Sequence, residues 1–186
     1  MSTLFLDVKG GFDNVCANKL AGILTKGGVS ADLVAWMKSF LSKRRCRLIF
    51  RGAPKIFCPV AVGTPQGSLI SPLPFMLYIA SFHPTILQGL AISYVDDITL
   101  TVTLYSVGSN IPNLQHFCCV IQRQGTDLGV AFSVPETELI HWRTLKDRSD
   151  VSFVTIVIND MLFPPLQAVR WLGYRLTPRF HSSVHI

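Results

Sequence analysis

Apolar and polar positions along this chain follow two periods, one typical of strands and one of helices. The run from Leu4 to Val8 is apolar except for Asp7, which predicts a buried strand with an acid near its end. Two helices are predicted next, the first ending at Gly27-Gly28 and the second capped by Ser30. The second helix would bury one apolar face, formed by Leu33, Trp36, Met37, Phe40 and Leu41.

The middle of the chain is apolar and uncharged over an unusual length. The residues from 56 up to Asp96 include no Asp, Glu, Lys or Arg. A loop rich in Gly and Pro, Gly63 to Pro72, leads into an apolar helix over 73–82. A hairpin with Asp96-Asp97 at its tight turn is then predicted from two flanking runs rich in β-branched residues, 91–95 and 98–104.

The last third of the chain continues to mix helix and strand. Pro112 is predicted to open a helix, and Gly129 to close a turn before a strand at 130–132. A further hairpin is predicted near the end of the chain from its turn and its two arms, Asn159-Asp160, 151–158 and 166–176. Together these elements predict one α+β domain over residues 1–186, with an antiparallel sheet and helices on one face.

The Asp96-Asp97 pair stands out because it ends the long uncharged segment. One interpretation is an ordinary turn, in which Asp bonds its own backbone. The other is cation binding, since a carboxylate pair at one strand tip and a third acid at another can grip two divalent cations for phosphoryl or nucleotidyl transfer. Asp7 is the candidate third acid, because Asp13 or Asn14 is better placed to cap the helix that follows.

The Gly63 to Pro72 loop is a second candidate for ligand binding. Gly and Pro on both sides of Gln66 predict a bent backbone whose amides can approach a ligand at the positive end of the next helix. The alternative is a simple strand-to-helix connection. That connection requires the Gly and Pro residues but requires neither Gln66 nor Ser68.

The composition agrees with a nucleic-acid partner. Lys and Arg number 17 against 11 Asp and Glu, which gives a net charge of +6. The basic residues cluster at 43–47, with Arg51 and Lys55 beyond, and this run is either a solvated or localisation-type patch or a track for phosphates. The five Cys show no paired C-x-x-C spacing, so no zinc site or disulfide framework is predicted. With no secretory signal or membrane span visible, an intracellular setting is expected.

Three segments resemble, in order, the core palm motifs of reverse transcriptases: LFLDVKGGFDN, GTPQGSLISP and SYVDD. The surrounding sequence is most similar to the non-LTR, LINE-like retrotransposon type, particularly the fungal elements. Two later segments, 137–142 and 169–174, resemble the next two motifs of that family. The resemblance therefore runs over nearly the whole chain, and five ordered motifs make it specific.

The resemblance implies an RNA-directed DNA polymerase built on a polymerase palm, a ferredoxin-like antiparallel sheet with helices on one face. The implied reaction is nucleotidyl transfer from a dNTP to a primer 3′-hydroxyl with two Mg2+ ions, or with Mn2+ in their place. The implied partners are an RNA template, a DNA primer and dNTPs, with no membrane. The resemblance also implies a nuclear location.

Roles for individual residues follow from the same resemblance. The catalytic, metal-binding carboxylates would be Asp7, Asp96 and Asp97, with Val8 as a further metal ligand. The nucleotide-binding positions would be Phe12, whose ring excludes a ribose 2′-hydroxyl, and Gln66, Gly67 and Tyr94. The primer and template positions would be Arg44, Arg45, Arg47, Trp171, Leu172 and Gly173. Taken without the resemblance, Phe12 and Trp171 are ordinary core aromatics and Gln66 is a loop amide.

Parts of the family's architecture are expected to be missing from this chain, namely the fingers, the thumb and the endonuclease segment. One motif position also departs, because Glu136 stands where the family usually has Lys, near the pyrophosphate leaving group. Three hypotheses follow: a reverse transcriptase palm, a catalytically impaired relic that at most binds nucleic acid, and an unrelated α/β protein with a chance acid pair. The intact acids favour the first, whereas Glu136 and the missing fingers favour the second.

Overall fold

A computed structural model describes residues 1–49, 56–81, 89–144 and 151–179. The strands are β1 (Ser2–Lys9), β2 (Arg44–Leu48), β3 (Ile56–Val60), β4 (Gly89–Tyr94), β5 (Asp97–Val102), β6 (Ala131–His141), β7 (Ile156–Ile158), β8 (Met161–Phe163), β9 (Val169–Trp171) and β10 (Tyr174–Leu176). A 3-10 turn at Gly11–Asn14 precedes the helices α1 (Ala17–Lys26), α2 (Ala31–Leu41), α3 (Pro72–Ala80) and α4 (Val107–Leu128). None of the described helices has the length and apolar character needed to cross a membrane.

The chain divides into two compact units. The first, here called the sheet unit, comprises Met1–Lys9, His83–Gln124 and Phe132–Ile186, and the second, the helical unit, comprises Gly10–Phe82 and Gly125–Ala131. The sheet unit contains a four-stranded sheet in the order β4-β5-β1-β6 and the hairpins β7-β8 and β9-β10. The helical unit contains α1, α2, α3 and the hairpin β2-β3. An α+β fold on an antiparallel sheet is confirmed, and the single domain expected for 1–186 stays a prediction.

Strand β1 lies inside the four-stranded sheet, which explains its apolar sequence. It pairs antiparallel with β5, from Ser2 opposite Val102 to Asp7 opposite Asp97, and β6 lies on its other side. Leu4 and most of its neighbours in β1 are buried. A strand buried on both faces shows a continuous apolar run rather than alternation. The same packing fixes the position of Asp7.

Helix α4 begins earlier than the sequence predicted. Pro112 lies inside it rather than at its start. The helix begins after Ser106, whose hydroxyl accepts a hydrogen bond from the Ser109 N–H at 3.1 Å, while the Ser109 hydroxyl accepts one from the Ser106 N–H at 3.2 Å. This reciprocal pair satisfies two backbone donors, as in a capping box. The prediction that Pro112 opens the helix is therefore wrong.

The chain after residue 155 forms two short hairpins rather than one long one. The predicted turn at Asn159-Asp160 is confirmed, with positive φ at both residues, but its arms are β7 and β8. Leu172 and Gly173 also have positive φ and form a second two-residue turn between β9 and β10. Two successive positive φ values are typical of type I′ hairpin turns. The predicted pairing of 151–158 with 166–176 is wrong, because each segment turns back on a nearer partner.

The predicted apolar face of α2 is only partly buried. Met37 and Leu41 are buried, whereas Leu33 and Trp36 remain exposed. The Trp36 ring instead stacks on Phe40, with ring centroids 5.6 Å apart. The prediction of one buried face is therefore wrong for Leu33 and Trp36.

A buried polar network holds β1, α4 and β6 together. The Nε2 of His141 lies 2.8 Å from the Val154 carbonyl, so this nitrogen carries the proton and Nδ1 accepts from the Ser2 hydroxyl at 2.9 Å. Asn110 Nδ2 donates to the same Ser2 oxygen at 2.9 Å, and Asn110 Oδ1 accepts from the Leu104 N–H. Each of these buried groups is satisfied with a neutral imidazole. Burial lowers the pKa of His141, and nearby positive charge lowers it further against the opposing Val154 bond.

Acidification is expected to destabilise the fold through His141. The unfolded chain takes up a proton near pH 6.5, whereas the folded chain resists protonation to a lower pH, so the stability present above that value is lost as pH falls below it. The maximal slope for one proton is about 1.4 kcal/mol per pH unit. Urea unfolding of the wild type and His141→Gln, followed over the His titration range, measures the effect.

The variant should be less stable at neutral pH and should lose this part of the pH dependence. His116, exposed on α4, provides the matched control. An unchanged slope in His141→Gln, or an equal loss in His116→Gln, contradicts the assignment.

Candidate active site

The hairpin β4-β5 turns one residue earlier than the sequence predicted. Tyr94 pairs with Asp97, so Val95 and Asp96 form the turn and Asp97 is the first residue of β5. Val95 has a φ of 56°, which is uncommon for a β-branched residue. Positive φ at the first turn position alone is typical of a type II′ hairpin turn, whose twist matches the strands it joins. The prediction that both Asp residues form the turn is therefore wrong.

This turn brings the three predicted acids to one end of the sheet. Asp97 lies opposite Asp7 in the β1-β5 register, and the Val8 N–H donates to the Asp96 carbonyl at 3.0 Å. Asp7 and Asp97 are half-buried and Asp96 is exposed. Tyr94, opposite Asp97 on the other side, exposes 59% of its surface and is free to meet a ligand.

The electrostatics of this end of the sheet are those of crowded carboxylates. The pKa of Asp7 is raised to about 6, first by burial and then by a hydrogen bond with Glu136 and the charges of Glu136, Asp96 and Asp97. Burial, followed by the charge of Asp96, also raises the pKa of Asp97. Such clustered and shifted carboxyl groups are frequent at functional sites.

The hydrogen bond between Glu136 and Asp7 was not predicted from the sequence. The pKa of Glu136 is lowered by hydrogen bonds with Asp7 and with Ser133, while that of Asp7 is raised, so Asp7 is the residue that holds the proton when the pair carries one. The sequence signal is the alternation of β6, which places Glu136 and Glu138 on one side of a strand adjacent to β1. This alternation predicts the contact with Asp7 only when the strand order is known, because β6 must lie beside β1.

A cavity of about 320 Å³ opens beside these acids. Its walls include Asp7, Asp97, Glu136, Arg170 and Trp171, so carboxylates face one cationic side chain from β9. The Trp171 ring packs 6.2 Å from Phe5, between centroids, and its buried Nε1 has no hydrogen-bond partner. Trp171 thus serves as a core aromatic and as a wall of the cavity at once. The predicted residues Leu172 and Gly173 form the adjoining turn.

In the helical unit, Phe12 is held rigidly beside the Gly63 to Pro72 loop. Its ring stacks on Phe75 at 4.5 Å between centroids, and its carbonyl accepts from the Thr64 N–H at 2.8 Å. Gly63 has a φ of 88°, and a Cβ there would lie 2.9 Å from the Asp13 carbonyl oxygen. Only Gly fits this approach, which fixes Phe12 against the loop.

Gln66 and Gly67 lie at the exposed tip of this loop. The Gln66 amide donates to the Asp13 carboxylate at 3.0 Å, and Gly67 has a φ of 90°. Asp13 is therefore a partner of the loop and lies in the 3-10 turn, whereas the cap position of α1 is Cys16. The prediction that Asp13 or Asn14 caps α1 is wrong because the chain first makes this extra turn.

The basic run forms β2, and its three arginines have different environments. The Arg44 guanidinium donates to the carbonyls of Leu41, Val62 and Gly63, the first at 3.0 Å. Arg45 and Arg47 are exposed. Arg44 therefore ties strand β2 to the start of the loop, while its two neighbours are available to a ligand. Arg51 and Lys55 lie outside the described residues.

The donor set at the end of the sheet fits a hard divalent cation in its chemistry, since Mg2+ prefers one or two carboxylates with water and phosphate oxygens. Among the described residues, no group of three His, Cys, Asp or Glu side chains is arranged to hold a metal ion. Positive charge at this place would offset the burial and the repulsion that raise the pKa values of Asp7 and Asp97.

Comparisons with known proteins agree on one family. Residues 2–176 match the family model described as reverse transcriptase (RNA-dependent DNA polymerase). The chain is 25% identical to the probable RNA-directed DNA polymerase from transposon X-element of Drosophila melanogaster, over 100% of this chain and 20% of the relative. It is also 25% identical to the RNA-directed DNA polymerase from mobile element jockey of the same organism, over 98% and 20%. The chain thus spans about a fifth of these relatives.

The fold is similar to that of a solved enzyme. The structure of apo telomerase from Candida tropicalis superposes with a TM-score of 0.63 at 12% identity, covering 95% of this chain and 31% of the other. At this identity the likeness concerns the fold alone, and it agrees with the α+β palm expected from the sequence.

Proposed function

Because the chain belongs to the reverse transcriptase family, we propose that it forms the polymerising centre of an RNA-directed DNA polymerase from a LINE-like mobile element. The observation that carries the proposal is that Asp7, Asp96 and Asp97, which belong to two of the motifs, lie at one end of the sheet. The fungal type of the element stays a prediction from the sequence around the motifs.

The acids would hold two divalent cations, most simply Mg2+, with Val8 contributing beside Asp7. When bound, such ions activate the primer 3′-hydroxyl and neutralise charge on the leaving pyrophosphate. The protein's own part is to fix the carboxylates. The β1-β5 register places Asp7 opposite Asp97. The hydrogen bond from the Val8 N–H to the Asp96 carbonyl fixes the position of the Asp96 backbone relative to β1. Preorganised groups of this kind require little rearrangement at the moment of reaction.

The helical unit would select the nucleotide. The Phe12 ring, braced by Phe75, is a rigid apolar surface that a ribose 2′-hydroxyl would have to displace. In this unit the exposed amide of Gln66 and the backbone of Gly67 would contact the incoming dNTP, Arg45 and Arg47 would bind template or primer, and Arg44 would act by holding the loop. In the sheet unit, taken by itself, Tyr94 is proposed as a nucleotide-binding position and Trp171, Leu172 and Gly173 as primer or template positions.

A segment exchange tests the proposal directly. Placing this chain in the corresponding position of a mobile-element relative should give template-directed extension of a DNA primer on RNA, dependent on dNTPs and a divalent cation. The relative's own segment, cloned through the same junctions, is the control. Extension by the control with none by a folded exchange protein would overturn the proposal.

A further inference from the structure

The net charge of the chain lies in one of its two units. The helical unit has nine Lys and Arg against three Asp and Glu, and the sheet unit has eight of each kind. All of the +6 net charge therefore belongs to the unit that contains hairpin β2-β3. No acidic residue occurs between Asp32 and Asp96, so nothing near the hairpin in sequence offsets its cations. A surface of this kind attracts polyanions.

One face of hairpin β2-β3 combines these cations with an exposed ring. In the antiparallel register Arg45 lies opposite Pro59 and Arg47 opposite Phe57, and directly opposed residues share a face of the sheet. All four side chains are exposed. The Arg47 guanidinium carbon lies 5.6 Å from the Phe57 ring centroid, and 61% of the Phe57 surface still faces solvent. Arg44, on the opposite face, is engaged with backbone carbonyls.

We propose that this face binds the unpaired part of the RNA template, with a base stacked on Phe57 and the flanking phosphates on Arg45 and Arg47. The inference rests on the proposed function, in which the template is the strand that remains single ahead of the primer end. A ring at a surface can stack only on bases that are not already stacked in a duplex. The arginine beside the ring adds a cation–π contact and a phosphate partner.

The first test is equilibrium binding of a short, labelled single-stranded RNA. Phe57→Ala should weaken binding by about 5- to 150-fold, since stacking on one aromatic side chain contributes about 1–3 kcal/mol per base. Phe57→Trp should retain or strengthen binding. The matched control is Phe153→Ala, another strongly exposed phenylalanine, in the neutral sheet unit. Equal affinities of the wild type and Phe57→Ala, both folded by circular dichroism, would overturn the proposal.

Abasic RNA distinguishes stacking from general attraction. A ribose-phosphate strand without bases keeps the charge but cannot stack, so the wild type and Phe57→Ala should bind it equally. In intact RNA, 2-aminopurine fluorescence should be quenched by the wild type and not by Phe57→Ala. Loss of abasic binding in Phe57→Ala would assign the ring to folding, and quenching that survives in the variant would place the stacked base elsewhere. Either outcome rejects the base site at Phe57.

The phosphate contacts are tested by salt dependence. The pair Arg45→Gln with Arg47→Gln should reduce the slope of log Kd against log salt by about 1.4, because each contact to a single strand contributes about 0.7. Arg44→Gln is the control of equal charge: it should lower the melting temperature and reduce the slope by less than half as much per residue. Equal slope changes for all three arginines would reject the division between a binding face and a structural face.

Binding is measured without dNTPs, so this inference and the polymerase proposal fail separately. Asp96→Asn should bind RNA as the wild type does. If Phe57 proves indispensable for RNA binding while the segment-exchange protein does not extend a primer, only the polymerase proposal falls. If the segment-exchange protein extends a primer but RNA binding does not depend on Phe57, only the base-stacking inference is rejected.

Discussion

Replacing Asp96 by Asn is expected to reduce single-turnover nucleotide addition by about 10³-fold or more in the segment-exchange protein. Asp96 is exposed at the tip of the β4-β5 turn, and under the proposed function its carboxylate is a cation ligand. Removing a ligand that positions charge-stabilising cations forfeits several kcal/mol in the transition state, and each 1.36 kcal/mol is tenfold in rate. Rapid-quench measurement of the first nucleotide added gives the value directly.

The same variant has a readout that does not require activity. If the three acids bind divalent cations in the folded state only, Mg2+ should raise the melting temperature of the wild type by mass action. Asp96→Asn should lose most of that rise. Asp160→Asn removes an equal charge from the β7-β8 turn and serves as the control. A Mg2+-dependent rise that is the same in all three proteins would place the cation site elsewhere.

Glu136→Lys is expected to raise the single-turnover rate at least about tenfold, since a missing general acid typically costs about 10²–10⁴. After burial, the hydrogen bond with Glu136 and its charge are the next causes that raise the pKa of Asp7, a carboxyl that under the proposed function must be ionised to hold a cation. Under the proposed function, a carboxylate at this position would also repel the triphosphate of the incoming dNTP. Lysine would remove both effects and, at the position that the family resemblance puts near the leaving group, would supply a proton donor.

Glu136→Gln separates these contributions. It removes the negative charge without supplying a cation, so its rate should fall between those of the wild type and Glu136→Lys. Glu138→Gln, which removes a charge from the same cavity wall two residues away, is the matched control. A wild-type rate in Glu136→Lys would show that Glu136 does not limit the reaction, and the picture of an impaired enzyme would have to be given up.

The parts of the site that could be predicted from the sequence are those set by residues close together in the chain. Asp7, Asp96 and Asp97 could be selected because each stands against an apolar background at the end of a strand. The turn position was missed because Val95, a β-branched residue, takes the positive φ that the sequence would assign to Gly or Asn. Local preference was overruled there by the register that pairs Tyr94 with Asp97.

Contacts between distant parts of the chain could not be predicted. The hydrogen bond between Glu136 and Asp7 depends on β6 lying beside β1. Arg44 is engaged and Arg45 is exposed because the Gly63 carbonyl lies within reach of the Arg44 guanidinium. Strand order and the position of a carbonyl are features of the tertiary structure, and the periodicity of the sequence does not report them. The start of α4 was different, since Ser106 and Ser109 at capping spacing were a local signal in the sequence, whereas the prediction relied on Pro112.

The central position of β1 has a consequence for biosynthesis. Its partner β5 follows about ninety residues later and β6 later still, so at about 5–20 residues per second the strand waits roughly 5–20 s for its first neighbour. During this time an apolar strand with unpaired edges is open to other nascent chains. The segment that carries Asp7 is therefore an aggregation hazard during translation, and the yield of native protein should respond to the rate of synthesis and to chaperone supply.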